Sequence, residues 1–320
     1  MRKTLFFFFI LVGLKAVSQV DSTSTILMNE LDKKVIVPEV KKSSPVFYAQ
    51  RLINANTVEV LPTGRLEFKV VHLFGDVAGD FGGIKNAFGL DNSTDIKIAF
   101  LLGLTKNLNL IVSRNKGNGS VLQLWELGFK YKILQQMEND PAHPLSLAVF
   151  ANAVVSSQKA STDPARENFY TAFSDRQSHV IQLMVARKFG NLFSFQLSPT
   201  YVHTNHVVPG DVKNILALGL ALRVPIYKKF VFIADYFHSF RSQNSTDALR
   251  SQGIRLYDAL GVGLELVTPG HVFHVNFTNT TSILENRFIP RTTTSWGKGE
   301  YRWGFTVSRD FILFKNKRKK

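Results

Sequence analysis

The sequence predicts an all-β protein, a transmembrane antiparallel up-and-down β-barrel of about twelve strands. Large apolar side chains recur at every second position in segments of roughly ten to fourteen residues, and short turns alternate with long polar loops between these segments. The chain has 320 residues, of which 45% are hydrophobic, and no cysteine. Disulfides, thiolate metal sites and cysteine nucleophiles are therefore excluded.

The first eighteen residues have the pattern of a secretory signal peptide, and residues 1–18 are assigned to it. Arg2 and Lys3 precede an apolar run over residues 5–14, and Ala16 and Ser18 form a small-x-small cleavage site. The apolar run is shorter than the ~20 residues that a membrane-spanning helix needs. We therefore expect cleavage after Ser18 and export of the remaining chain.

Alternation is clearest in residues 125–133. The odd positions there are Trp, Leu, Phe, Tyr and Ile, whereas the even positions are Glu, Gly, Lys and Lys. A period of two places these sets on opposite faces of a strand. In a soluble sandwich the polar face meets water, whereas in a membrane barrel the apolar face meets lipid and the polar face lines the lumen. The segments exceed the ~5–6 residues of a typical globular strand, which favours the barrel.

Twelve segments follow this pattern, and their connections sort by length. The predicted strands are residues 64–75, 94–104, 107–114, 121–134, 144–156, 178–189, 191–202, 212–224, 229–240, 255–267, 270–278 and 299–311. The predicted long loops are residues 76–93, 157–177, 203–211, 241–254 and 279–298. An even number of strands with short turns at one end and long loops at the other is typical of outer-membrane barrels. The barrel is expected at residues 64–314, with both termini in the periplasm and a basic tail at residues 315–320.

Charged side chains within the segments are expected to face the lumen, because a Lys or Arg facing lipid at the membrane midplane costs ~2–4 kcal/mol. The predicted lumen-facing set is Arg65, Glu67, Lys69, Lys97, Glu126, Lys130, Lys132, Lys188, Arg223, Arg255, Glu265, Glu300, Arg302 and Asp310. Nine of these fourteen side chains are basic. They could pair across a closed interior, or they could line an open pore with a weak preference for anions.

Residues 19–63 lack the barrel pattern and are expected to form a periplasmic segment or a plug. Residues 46–61 are apolar enough to need a partner. The side chains expected to make that contact are Val46, Phe47, Tyr48, Leu52 and Ile53. The sequence leaves three options open for this segment: it lines the barrel mouth, it plugs the lumen, or it lies against another protein.

The sequence shows no pattern of catalytic or metal-binding residues. His238 and Ser239 are adjacent on a predicted strand and therefore face opposite ways. His203 and His206 have no third ligand at a diagnostic metal spacing. The net charge of +15 is not accompanied by a nucleic-acid-binding motif. We expect no enzymatic activity, no cofactor and no nucleic-acid partner.

Several short motifs precede the first strand or end the second. They are RLIN at residues 51–54, LPTG at residues 61–64 and LGLT at residues 102–105. The pattern resembles an uncharacterised family of Bacteroidota outer-membrane β-barrel proteins, a domain of unknown function. The chain departs from that family in having Ala-Asn-Thr at residues 55–57 instead of Gly-His-Ser, and Leu73 instead of Arg. The resemblance implies an outer-membrane location and a barrel fold, and it implies no reaction.

Two functions are compatible with these observations. The first is a non-enzymatic structural or accessory subunit of an envelope protein complex, favoured because the barrel is small and its lumen charges can pair. The alternative is a passive diffusion channel for small solutes, anionic ones included. The expected partners are outer-membrane lipid, the barrel-assembly machinery during biogenesis, and other envelope proteins.

Overall fold

The alternating sequence forms twelve antiparallel strands of 8 to 14 residues. The computed structural model describes residues 43–227, 229–268 and 270–314. The signal peptide, residues 19–42 and the basic tail at residues 315–320 lie outside the described residues. The strands are β1 (Arg65–Asp76), β2 (Ser93–Gly103), β3 (Leu108–Asn118), β4 (Val121–Leu134), β5 (Ser146–Ser156), β6 (Gln177–Phe189), β7 (Phe193–Thr204), β8 (Asn214–Tyr227), β9 (Phe230–Phe240), β10 (Ala259–Thr268), β11 (His271–Thr278) and β12 (Arg302–Ile312).

Each strand pairs with its neighbours in sequence, and β1 pairs with β12 to close the barrel. Val70 of β1 lies opposite Val307 of β12 in this closing pair. Closure leaves no free sheet edge, so the strand backbones are hydrogen-bonded within the barrel, as a membrane-spanning structure requires. The prediction of a closed twelve-stranded antiparallel barrel is confirmed.

The connections define two ends of the barrel. We call the end with the short connections, such as residues 104–107 and 190–192, the turn end. The opposite end, called the loop end, carries the long loops. Two of these contain short α-helices, α1 (Gln243–Ser251) and α2 (Glu285–Arg291). Among the described residues, no helix is long and apolar enough to cross a membrane.

In β4 the large apolar side chains are exposed and the charged ones are buried, the reverse of a soluble sheet. Trp125, Leu127 and Phe129 are about half exposed on the outer face, whereas Glu126 and Lys130 are buried inside. An outer face of large apolar side chains around a charged interior is the arrangement expected of a barrel surrounded by lipid.

Strand boundaries differ from the prediction mainly at the loop end. Predicted starts at residues 255 and 299 are four and three residues earlier than the observed starts at Ala259 and Arg302. The residues before Ala259 do not pair with β9. Tyr257 N donates instead to Thr292 O at 2.8 Å. Packing between loops therefore ends the ladder earlier than the alternation in the sequence indicates.

The position of Leu127 near the middle of the outer face of β4 gives a stability test. Leu127→Lys should lower the free energy of unfolding in a lipid bilayer by about 2–4 kcal/mol, because the ammonium faces hydrocarbon. Thr162→Lys is a matched control, since Thr162 is exposed in the β5–β6 loop. Denaturant titration in bilayers measures both, and a loss below about 1 kcal/mol for Leu127→Lys would contradict lipid contact at this face.

Candidate functional site: a filled lumen

Nine of the fourteen predicted lumen charges are buried inside the barrel wall. They are Glu67, Lys69, Lys97, Glu126, Lys130, Lys132, Arg223, Glu265 and Arg302. Arg65, Lys188 and Asp310 lie near the turn end and are partly exposed, and the Arg65 guanidinium is 3.7 Å from the Asp310 carboxylate.

Arg255 and Glu300 do not lie on strands, so their placement on the lumen face is corrected. Arg255 is exposed in the coil that precedes β10. Glu300 precedes β12, and its carboxylate accepts a hydrogen bond from Ser295 N at 2.7 Å. Both errors follow from the strand starts that were predicted too early.

Three acidic residues that are absent from the predicted set also face the interior: Asp76, Asp95 and Asp235. Asp95 and Asp235 have the same parity as the buried residues beside them, such as Lys97 and Phe237, so alternation could have found them. With these three included, the buried wall carries equal numbers of acidic and basic side chains. The basic ones are Lys69, Lys97, Lys130, Lys132, Arg223 and Arg302, and the acidic ones are Glu67, Asp76, Asp95, Glu126, Asp235 and Glu265.

Four ion pairs join residues of the wall to each other. The N–O distances are 2.7 Å for Lys69–Glu67, 2.7 Å for Lys97–Glu126, 2.8 Å for Arg223–Glu265 and 2.5 Å for Arg302–Asp76. None of these pairs requires a group from another part of the chain. The wall therefore neutralises most of its own charge.

Residues 43–62, here called the lumen hairpin, fill the space inside this wall. Leu52 N donates to Ala55 O at 2.9 Å, and Thr57 N donates to Gln50 O at 3.1 Å. The two arms therefore pair around a tip at residues 53–54.

Both arms of the hairpin reach the turn end. On the first arm, Ser44 N donates to Gln136 O in the β4–β5 connection at 3.0 Å. The second arm continues into β1, where Gly64 N donates to Gly103 O at 2.9 Å. The β4–β5 connection is long for a turn, and part of its length binds the first arm.

The five side chains singled out for a plug or partner contact have different surroundings. Val46, Phe47, Leu52 and Ile53 are buried, and they pack in one cluster with wall residues that include Phe150, Met184 and Ile233. Tyr48 is 64% exposed, and the Arg223 guanidinium lies 4.8 Å from its ring centroid. Four of the five therefore lie inside the barrel and are unavailable to a separate protein in this state.

Asp235 of β9 binds the tip of the hairpin. Its carboxylate accepts hydrogen bonds from the backbone amides of Ile53, Asn54 and Ala55 at 3.1, 2.6 and 2.9 Å. The Asn54 side-chain amide donates to the other carboxylate oxygen at 2.9 Å. Gly261 of β10 is the register partner of Asp235 on the neighbouring strand. It leaves room for the tip, because a Cβ there would lie 2.8 Å from Ile53 Cγ2.

Lys130 and Lys132 of β4 bind the arms of the hairpin. Lys130 Nζ donates to the carbonyls of Gln50 and Glu59 at 2.8 and 3.2 Å. Lys132 Nζ lies 2.7 Å from the Glu59 carboxylate. The hairpin thus turns its carbonyls and its carboxylate toward the basic side of the wall, and its tip amides toward Asp235.

The loop between β11 and β12 closes the lumen from the loop end. Arg51 of the hairpin forms an ion pair with Glu285 of α2 and donates to Ile283 O at 2.6 Å. Phe288 of α2 packs edge-on against Phe237 of the wall, with ring centroids 5.1 Å apart. The hairpin and this loop therefore meet inside the barrel.

Charged side chains also join α2 to the neighbouring loops. Glu167 of the β5–β6 loop pairs with Arg287 and Arg291, at 2.7 and 2.5 Å. Burial alone would raise the pKa of the Glu167 carboxyl, but the two guanidiniums lower it to about 2. In the next loop, Asp211 forms an ion pair with Arg241.

His238, Ser239 and His203 do not form a catalytic group with one another. His238 Nδ1 lies 3.0 Å from the Asp258 carboxylate, whereas the Ser239 hydroxyl donates to Ile289 O at 2.6 Å. His203 contacts the amide side chains of Asn205 and Asn214. Among the described residues, no cluster of three or more His, Asp or Glu side chains is arranged to hold a metal ion.

Removal of the Asp235 charge should free the hairpin tip. In Asp235→Asn, amide hydrogen exchange at residues 53–55 should become about 10- to 100-fold faster, because charge-assisted hydrogen bonds to buried carboxylates are worth about 1.5–3 kcal/mol. Asp258→Asn is the control, since Asp258 binds His238 away from the hairpin. Unchanged protection of the tip in Asp235→Asn would contradict this role of the carboxylate.

The low pKa of Glu167 predicts acid sensitivity of the loop network. A folded-state pKa of about 2, against 4.5 without the fold, stabilises the loops fully above pH 4.5 and is lost as the pH falls toward 2. Glu167→Gln should therefore lower the thermal midpoint at pH 7, and its difference from wild type should shrink between pH 4.5 and 2. Glu138→Gln is the control, because Glu138 is exposed at the turn end. A pH-independent difference would refute the assignment.

Comparison with known proteins identifies the family. The family model described as a membrane-bound beta-barrel domain, DUF5777, matches residues 47–311. No curated protein is significantly similar in sequence. Among solved structures, the chain is similar to the NanC porin (10% identity, TM-score 0.45), covering 76% of this chain and 98% of that one. It is also similar to an outer membrane channel from Pseudomonas putida F1 (11% identity, TM-score 0.48), covering 79% of this chain and 98% of that one. The chain belongs to the DUF5777 family of membrane-bound β-barrel domains, and its location is the outer membrane.

Proposed function

We propose that the protein is a diffusion channel for small polar solutes and that the lumen hairpin, in the position it occupies in this structure, closes the channel. The orientation proposed with it places the turn end in the periplasm and the loop end outside the cell. The alternative function considered from the sequence thereby becomes the preferred one, with a hairpin that must move before solutes pass.

The observation that carries this proposal is the set of ion pairs within the wall. Lys69–Glu67, Lys97–Glu126 and Arg223–Glu265 remain paired when the hairpin is absent. A buried charge without a partner is costly, so a wall that depended on the hairpin for neutralisation would oppose its departure. This wall keeps most of its pairs, and water can hydrate the remaining polar groups.

Only a few wall charges depend on the hairpin. Lys130 and Asp235 lose their hairpin partners when the hairpin leaves, whereas Lys132 loses Glu59 and keeps the side-chain oxygen of Gln135, at 2.6 Å. Each of these groups is readily hydrated in a water-filled lumen, where polar interiors are the rule for porins. The contacts that hold the hairpin are non-covalent, so opening exchanges them for contacts with water.

The route of the hairpin follows from its two ends. Because both arms reach the turn end, the hairpin can withdraw toward that end without passing through the barrel. Withdrawal breaks the ion pair between Arg51 and Glu285, which also frees α2 from the hairpin. The same movement therefore removes the hairpin from the lumen and weakens the attachment of α2 at the loop end.

The charge balance of the wall predicts weak ion selectivity. Nine of the fourteen charges predicted for the lumen are basic, which would give an open pore a weak preference for anions. With Asp76, Asp95 and Asp235 included, the buried wall holds six basic and six acidic side chains. We therefore propose passage of small polar solutes of either sign.

The accessory-subunit hypothesis has less support. It requires that residues 46–61 or the long loops bind a partner protein. Val46, Phe47, Leu52 and Ile53 are buried against the wall, so the apolar part of that segment already has a partner within the chain. A role in a complex would depend on the loops alone.

Single-channel recording in planar bilayers tests the proposal. The full-length protein should show no steady conductance, whereas deletion of residues 44–60 should give steady openings with a cation-to-anion permeability ratio within about twofold of unity. Gly261→Val should raise the frequency of openings in the full-length chain, because a side chain there collides with Ile53 and Asp235.

Ala234→Val is the matched control, because Ala234 occupies the outer face of β9 and the substitution adds volume there. Each variant is first checked for a folded barrel by heat-modifiable gel mobility. A deletion variant that is folded but silent would overturn the channel proposal. Steady openings of the unmodified protein would show that the hairpin does not close it.

A further inference from the structure

A cleft lies at the loop end, at the rim of the barrel, where the wall residues Asp76 and Arg302 also line it. It has a volume of about 530 Å³ and is bounded by the β1–β2 loop, the top of β2 and the top of β3. Lys116, Asn92 and Ser93 line it and are exposed, and Phe81 lies at its edge. Within the described part of the chain, none of these three polar side chains has a hydrogen-bond or ion-pair partner.

The β1–β2 loop presents large apolar side chains beside this cleft. Phe81 and Ile84 are 77% and 83% exposed, and Phe88 and Leu90 are about half exposed. The loop is ordered by internal contacts, since Asn86 Nδ2 donates to Phe81 O at 2.8 Å. Apolar side chains held outward on an ordered loop indicate a binding surface.

The cleft is continuous with the lipid-facing surface of the barrel. From Lys116 toward the turn end, the outward side chains of β3 are Arg114 and then Val112, and successive outward residues are ~7 Å apart. The Arg114 guanidinium lies 5.0 Å from the centroid of the Trp125 ring, an arrangement typical of the membrane–water interface. Lys116 therefore stands at headgroup height, above Val112 and Ile98 on the apolar wall.

The charges around the cleft favour an anion near Lys116. Lys116 and Arg114 have no acidic partner within ion-pairing distance among the described residues, and Lys85 adds a third cation on the loop. Asp80 and Asp91 belong to the same loop and are exposed. An ammonium near the membrane surface attracts anionic lipid headgroups, and phosphate is a preferred ligand of Lys.

We propose that this cleft binds the phosphorylated headgroup of an outer-leaflet glycolipid. Lys116 contacts the phosphate, Asn92 and Ser93 bind sugar hydroxyls, and Phe81 packs against the sugar ring. The acyl chains lie along the outer faces of β2 and β3. The proposal rests on the proposed orientation, with the loop end outside the cell, and it is independent of whether the lumen opens.

Binding of lipid A to the purified full-length protein in detergent tests the site. Bisphosphorylated lipid A should bind about fivefold or more tightly than enzymatically dephosphorylated lipid A, by native mass spectrometry titration. Lys116→Gln should lose that difference. Lys106→Gln removes the same charge from the β2–β3 turn, at the opposite end of the same strand pair, and should keep it.

A further variant separates the lipid from a free phosphate. Phe81→Ser should weaken binding of lipid A and of its deacylated sugar phosphate by at least threefold each, because both carry the sugar ring, and should leave binding of inorganic phosphate unchanged within error. Equal binding of both lipid A forms to wild type, or equal losses in Lys116→Gln and Lys106→Gln, would overturn the proposal. Neither result would bear on the conductance of the deletion variant, so the two proposals fail separately.

Discussion

The carboxylate of Asp235, buried in the wall of β9, is the interaction on which the closed state depends. Three consecutive backbone amides at the tip of the hairpin converge on it, and these donors would otherwise be unsatisfied inside the barrel. Because the amides belong to a tight turn, one carboxylate fixes the position of the whole tip. The arms then reach Lys130 and Lys132 on the other side of the lumen. Polar groups on opposite sides of the wall thereby select one orientation of the hairpin.

Charged side chains have two roles in this barrel: most pair with each other within the wall, and a few hold the hairpin. Lipid excludes charge from the outer face, so the charged side chains of the strands turn inward. Inside, most of them pair with neighbours on the same wall, as Lys97 does with Glu126. The wall is therefore stable without depending entirely on the hairpin, and the hairpin is held without a covalent bond. The proposed channel depends on this division, because the hairpin must leave without unfolding the wall.

Alternation in the sequence was sufficient to predict the number of strands, their antiparallel order and the inward placement of residues such as Lys130 and Glu126. It failed where loops pack on loops, so Arg255 and Glu300 were placed on strands that begin later. The destination of residues 46–61 could not be predicted, because apolar side chains such as Leu52 fit a lumen, a mouth or a partner equally well. Asp235 had the correct parity for the interior, but its role depends on backbone amides 180 to 182 positions away in sequence. No local pattern reports such a contact.

Block of the open variant by the isolated hairpin is the most direct test of closure through Asp235. A synthetic peptide of residues 43–62 would be added, from each side in turn, to planar bilayers that contain the variant lacking residues 44–60. The peptide should close the conductance only from the compartment that faces the turn end, and Asp235→Asn in the same variant should weaken the block at least tenfold. A peptide of the same composition in scrambled order should have no effect. Block that is equally strong with Asp235→Asn, or the absence of block from either side, would contradict closure of the barrel by the hairpin through Asp235.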